Sequence, residues 1–335
     1  MNTNKLDTLC YKNSLKCNAI IGVEATASDI KKRISKIKKY KKQLDKLLKL
    51  PKIEQKTDEW YKVRQNLVTA SDFAQALGDG KFGSTKQFYQ KKCEPAEADS
   101  SVAGKTNPFF KWGNMFEQVA IDIYSDMFEI PLHNFGLLQH QKHKFFGASP
   151  DAISDVGIMV EIKCPKKRKI VVGGEVPLQY YYQIQGQLDV CELDECDYFE
   201  CDFGLYDVSN DFFDNLAEYE YRGIISESQD GLFEYSNLNY TKDELYKWAN
   251  NNNNKKYYWY LNLYNINRVV RDKKFLEDKM KKLEIVWNNV LCYRENPEKY
   301  NVEVLKSIDI KTTPLYTKKI TEPKINGWSF IDVNE

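Results

Sequence analysis

Two short segments hold residues whose types and spacing could do chemistry together: Gly147-Ala148-Ser149-Pro150-Asp151 and Val160-Glu161-Ile162-Lys163-Cys164-Pro165. In the second, Ile158, Val160 and Ile162 alternate with Met159, Glu161 and Lys163. A strand has a side-chain period of two, so Glu161 and Lys163 emerge on one face while the aliphatic residues enter a core on the other. Ser154-Asp155-Val156-Gly157 predicts a turn that returns the chain, so that Asp151 lies beside Glu161 on a paired strand. Two carboxylates that close repel each other unless a cation sits between them. Mg2+ suits such a pair, because it takes hard oxygen ligands and keeps several waters. Mn2+ could substitute, and the backbone carbonyl of Ile162 offers a third ligand. Such a centre polarises a phosphate ester and lowers the pKa of a bound water. Lys163, with its pKa depressed by burial and by the cation, would position or deprotonate that water and offset charge developing on the phosphate. Glu-x-Lys alone is common, and the bland alternative is the wet face of a surface hairpin. Ser-Pro-Asp at hairpin distance and Pro165 closing the strand favour the metal centre.

The elements around these segments follow from hydrophobic periodicity. Residues 28–50 read as an amphipathic helix, with Ile30, Ile34, Ile37, Leu44 and Leu48 at helical spacing and lysines between them. Thr69-Ala70-Ser71-Asp72 begins a second helix, residues 93–108 read as a loop, and residues 111–128 return to helix. The texture then changes to short extended segments at 137–141, 145–153 and 158–164. A helix is predicted over 178–190, a strand over 197–203 and a long helix over 272–293. The Asn250–Asn254 tract reads as a loop.

Taken in order, several blocks resemble the PD-(D/E)XK nuclease superfamily, and within it the branch of phage lambda exonuclease and the YqaJ viral recombinases. Trp60-Tyr61-Lys62-Val63-Arg64 followed by Val68-Thr69-Ala70-Ser71 is similar to the family's first block. The resemblance assigns the phosphate of a DNA end to Arg64 and Ser71, with Trp60 beside them. Trp112-Gly113-Asn114-Met115-Phe116-Glu117 is similar to the helix whose Glu lies near the metals, which puts Glu117 there. Ser149-Pro150-Asp151 and Glu161-Ile162-Lys163-Cys164-Pro165 match the catalytic hairpin, and Ser149 takes the position of a phosphate-contacting serine. Tyr182-Gln183-Ile184-Gln185-Gly186-Gln187 is similar to a helix carrying a glutamine near the active site, which gives Gln183 that position. The branch usually has Gly after Ser-Pro-Asp, where this chain has Ala152.

The resemblance implies an α/β fold with a restriction-endonuclease-like core, a central mixed sheet flanked by helices. It implies three regions: an N-terminal extension over 1–55, a nuclease domain over 56–296 and a tail over 297–335. It further implies a Mg2+-dependent 5′-to-3′ exonuclease acting on double-stranded DNA ends in viral-type recombination or repair. A single-strand annealing protein is the partner such an enzyme would serve, and relatives form a homotrimer. An endonuclease of the same superfamily is a close variant. A non-catalytic DNA-binding or annealing module is the competing class, though the presence of Asp151, Glu161, Lys163 and Glu117 together argues against decay.

Composition is compatible with all of this. The chain has 335 residues, 42% hydrophobic and 29% charged, and a net charge of +1. That balance hides a basic block from Lys31 to Lys49, where Asp45 is the one acid, and a second at Lys166-Lys167-Arg168-Lys169. Basic blocks of this kind suit a polyanion. The start of the chain lacks the apolar stretch of a secretory signal and no run is long enough to span a bilayer, so an intracellular protein, in host cytoplasm or a viral factory, is expected. Cys191, Cys196 and Cys201 fit no cluster spacing and read as core thiols. His133, His140 and His143 read as structural or exposed. No Gly-rich phosphate loop is present, so ATP use is not expected.

Overall fold

The computed structural model describes residues 27–51, 53–55, 57–94 and 107–306. Cys10, Cys17, most of the expected loop between Cys93 and Pro108, and the tail beyond residue 306 lie outside the described residues. The helices are α1 (Ala27–Leu47), α2 (Asp58–Gln65), α3 (Phe73–Ala76), α4 (Thr85–Cys93), α5 (Pro108–Phe128), α6 (Leu178–Val190), α7 (Ser209–Asp214), α8 (Lys242–Ala249), α9 (Lys273–Glu295) and α10 (Pro297–Tyr300). The strands are β1 (Val68–Thr69), β2 (Leu132–His133), β3 (Leu138–Gln139), β4 (Phe146–Ala148), β5 (Ala152–Ser154), β6 (Met159–Lys163), β7 (Glu195–Tyr206), β8 (Arg222–Glu227), β9 (Phe233–Tyr235) and β10 (Lys255–Val270).

A seven-stranded mixed sheet runs in the order β2-β5-β6-β7-β10-β8-β9, and a small sheet in the order β1-β4-β3. The large sheet is antiparallel except where β6 lies parallel to β7. That parallel pair needs a crossover, and α6 supplies it. Both faces of the sheet are covered, as the sequence pattern requires of the mixed α/β class. On one side Met159 and Tyr198 join a core with Tyr182, Ile184 and Leu188 of α6 and with Leu283 and Trp287 of α9. On the other, Val160, Ile162 and Phe199 pack against Phe116, Val119 and Ile123 of α5.

The segment expected as one strand over 145–153 is two. β4 pairs with β1 and β3 in the small sheet, whereas β5 pairs with β2 and β6 in the large one. Ser149-Pro150-Asp151 bridges the two sheets. Proline has no N–H to give a ladder, so the strand breaks there, and Asp151 stands just before β5 rather than on it.

The α1 helix closes one side of the domain, with Ile37, Tyr40, Leu44 and Leu47 buried. Part of its basic block is spent inside the molecule. Arg33 pairs with Glu195 at 2.5 Å and Lys41 with Asp155 at 2.6 Å. The turn before β6 accommodates this helix only with glycine: Gly157 has φ +77°, and a Cβ there would come within 2.6 Å of the Tyr40 carbonyl oxygen. No helix among the described residues is long and apolar enough to cross a membrane.

Candidate active site

The β5–β6 hairpin sets the geometry. Ala152 faces Val160 and Ile153 faces Met159. Continuing that register by one residue puts Asp151 opposite Glu161, and directly opposed residues share a face. The Asp151 carboxylate also accepts the backbone N–H of Ile162 at 2.7 Å, which ties it to β6 beyond the last ladder pair. Glu161 is fully buried, because α6 lies over its face of the sheet. This excludes the wet-face alternative.

Each Glu161 oxygen is engaged. Oε1 accepts from Gln183 Nε2 at 2.7 Å and from the Lys163 ammonium, and Oε2 accepts from Gln187 Nε2 at 2.7 Å. Both amides grip the carboxylate. Gln187 thus belongs to the site, although the resemblance assigned only Gln183 of that block to it. The i, i+4 spacing from Gln183 was the one signal available.

Asp151 is strongly perturbed by its surroundings. Burial raises the Asp151 pKa well above the usual carboxylate range, and Glu161 and Glu117 push it further in the same direction. Glu117, on α5, therefore lies within electrostatic reach of Asp151. Among the described residues, however, no three His, Cys, Asp or Glu side chains gather closely enough to hold a metal by themselves. The lysine differs from the sequence expectation. Burial does pull its pKa down, but Glu161 and Asp151 outweigh that, and the net shift is upward. A cation held between two anions keeps its proton. The Lys163 ammonium also lies 5.2 Å from the centre of the Tyr180 ring.

The four residues assigned to a phosphate form a second cluster. Trp60 and Arg64 sit one turn apart on α2, with the guanidinium 4.1 Å from the indole centre. Trp60 Nε1 donates to Ser149 Oγ at 3.2 Å, and Arg64 Nη2 lies 3.4 Å from Ser71 Oγ. Ser149 stands two residues before Asp151, so the Ser149-Pro150-Asp151 bridge connects the cluster to the carboxylates.

Beneath this cluster lies a network that sequence reading missed. Asp72 accepts from Thr69 Oγ1 at 2.8 Å and Lys91 at 2.7 Å, and pairs with Lys92 at 3.2 Å. Lys92, 1% exposed, also donates to the Arg64 carbonyl at 2.7 Å. Burial opposes ionisation at Asp72, yet Lys92, Lys91 and Arg64 together hold its pKa well below the usual range. At Lys92 burial wins over the Asp72 charge and pulls the pKa down to about 8. Replacing Lys92 with Met leaves a buried carboxylate short of one partner, so a loss of roughly 3 kcal/mol is expected in urea unfolding. A change near zero would show that Lys91 alone suffices for Asp72.

The other sequence candidates are structural. His133 lies 3.1 Å from Asp155 and His140 3.1 Å from Asp189. Cys191, Cys196 and Cys201 are buried free thiols. In the second basic cluster Arg168 pairs with Glu200 at 2.5 Å, while Lys166 and Lys167 lie over the rings of Trp112 and Phe109.

A mixed sheet covered by helices on both faces, with an acid pair and a lysine at its β5–β6 hairpin, defines a mixed α/β fold. Residues 59–194 match the family model of the YqaJ-like viral recombinase domain. The chain is 28% identical to the uncharacterized protein R354 of Acanthamoeba polyphaga mimivirus, over 76% of this chain and 56% of that protein. The chain therefore spans little more than half the length of this relative. Among solved structures it is similar to the alkaline exonuclease LHK-Exo of Laribacter hongkongensis, with 18% identity and a TM-score of 0.44 over 74% of this chain and 100% of the other. It is also similar to a phage-related exonuclease of Haemophilus somnus 129PT, with 13% identity and a TM-score of 0.35 over 71% of this chain and 98% of the other.

Proposed function

We propose that this protein is a Mg2+-dependent exonuclease that degrades double-stranded DNA from its ends in the 5′-to-3′ direction, leaving single strands for an annealing partner. One observation carries the reading. The Asp151–Glu161–Lys163 constellation and the Arg64–Ser71–Trp60–Ser149 cluster are joined by the Ser149-Pro150-Asp151 bridge between two sheets. A phosphate recognised at one thereby lies beside acids that can act on a neighbouring ester.

The donor set fits a small hard cation. Asp151 and Glu161 are oxygen donors pressed together closely enough to disfavour a second negative charge. Mg2+ commonly uses one or two carboxylates and keeps its waters, and Asp151 and Glu161 supply that number. Asp151, Glu161 and the Ile162 carbonyl would hold the ion, which when bound supplies Lewis-acid polarisation of the phosphate and a more acidic water. Mn2+ is an equivalent probe.

The protein's own groups do the rest. Lys163, kept protonated by its neighbours, serves as a fixed positive charge that stabilises anionic oxygen on the phosphate; it does not act as the base. Gln183 and Gln187 hold Glu161 in place, and Glu117 adds its charge to the field around Asp151. Arg64 offers a planar donor fork to a terminal phosphate, and the indole beneath limits its motion. Ser71 and Ser149 add hydroxyl donors.

Digestion of end-labelled linear duplex and closed circular DNA with Mg2+ tests the proposal. Linear DNA should be consumed from its ends and circles spared. Cleavage of circles would identify an endonuclease, and binding without cleavage the non-catalytic module. Arg64→Ala should lower the ratio of rates on 5′-phosphorylated and 5′-hydroxyl ends by about tenfold, the worth of one charge-assisted hydrogen bond. An unchanged ratio would remove Arg64 from the pocket.

A further inference from the structure

Three glutamines lie within five residues of α6, and their hydrogen bonds separate two kinds of work. Gln185 is bonded at both ends: its Nε2 donates to the Val270 carbonyl at 2.8 Å and its Oε1 accepts the Asp272 N–H at 2.7 Å. It staples α6 to the end of β10, as a buried amide kept for packing does. Gln187 is 1% exposed and bonded at one end. Its Nε2 donates to Glu161 Oε2, while its Oε1 is buried with no hydrogen-bond partner among the described residues. An unsatisfied buried acceptor is unfavourable, and an apolar residue of the same size would avoid it. Packing therefore does not explain a glutamine here. Gly186 adds to the constraint. A Cβ at that position would meet the Phe146 ring at 2.8 Å and the Ala70 Cβ at 3.2 Å, so α6 is seated tightly at this turn and Gln187 projects from a fixed frame.

We propose that Gln187 is a positioning residue that fixes the Glu161 carboxylate for divalent-cation binding, so that cation affinity is set from α6 through Glu161 Oε2. The inference rests on the metal-site reading above. Gln183 and Lys163 both approach Oε1, so Gln187 alone among the described residues orients the other oxygen. Partners of this kind fix the orientation of a ligand, and their loss lowers metal affinity by roughly 10- to 100-fold.

The test uses the full chain freed of metal with EDTA and titrated with Mn2+, read by electron paramagnetic resonance of the free ion and by thermal melting. Gln187→Met should raise the Kd for Mn2+ by about 10- to 100-fold. Gln185→Met, the control, should lower the melting temperature and leave the Kd at the wild-type value. That crossed pattern is one a merely structural role for Gln187 would not produce. A Gln187→Met Kd equal to that of wild type overturns the proposal. A wild-type chain that takes up no Mn2+ overturns the metal-site reading and the proposal with it. Should Gln187→Met fail to fold, the side-chain amide resonances of the wild-type protein decide. Mg2+ must shift the Gln187 pair and spare that of Gln185, and an unmoved Gln187 pair overturns the proposal.

Discussion

Asp151→Asn should lose about 1,000-fold or more in turnover on linear duplex while the metal-free fold becomes more stable. The two halves of this result come from one cause. Asp151 lies opposite Glu161 in a buried setting, where burial and then the Glu161 charge raise its pKa. Between the ordinary carboxylate value and that raised one, the folded protein binds more protons than the unfolded chain. Stability then falls as pH rises through the window. Asparagine carries no charge and can still accept the Ile162 N–H, so it removes that penalty while deleting a ligand. Melting curves in EDTA between about pH 5 and 8 should show wild type losing stability toward neutral pH and the variant losing less. With Mg2+ present, wild type should recover what it lost, because an ion bound only by the folded state stabilises it. Mg2+-dependent digestion at the wild-type rate would sink the assignment, and parallel melting curves would show that the carboxylates do not repel.

Lys163→Ala should lower turnover by about 100- to 1,000-fold without raising the Mg2+ concentration needed for half-maximal rate. The ammonium shares Glu161 Oε1 with Gln183, so in the absence of DNA it competes for the same oxygen that would face the cation. Its removal takes away a competitor and cannot weaken metal binding through lost attraction. The rate falls because a positive charge is lost from the place where the phosphate gathers negative charge. The upward pKa shift makes a second test. A lysine acting as base would have to lose its proton near neutral pH, whereas this one keeps it. The wild-type rate should therefore show no falling limb from lysine deprotonation below the ordinary value of about 10.4. An increased Mg2+ requirement in Lys163→Ala would place the residue in ligand binding rather than charge stabilisation.

What the sequence by itself determined is local and periodic. The alternation of Ile158, Val160 and Ile162 with Glu161 and Lys163, a turn at Gly157 and the helical spacing over 178–190 specify the hairpin, its register and the crossover helix. The position of Pro150 also contained the strand break, because a missing N–H is a property of the residue alone. Which surface covers a given face is not periodic information. Only the tertiary structure decided that α6 lies over Glu161, which turned a candidate wet face into a buried one and brought Gln187 to Oε2. The same holds for Trp60 meeting Ser149 across 89 residues, Lys92 reaching the Arg64 carbonyl across 28, and Arg33 pairing with Glu195 across 162. It also reversed the expected direction at Lys163, since a pKa depends on the field of all nearby charges and not on one neighbour in the chain. Backbone period is written in consecutive residues; electrostatic environment and burial arise only when distant segments close on one another.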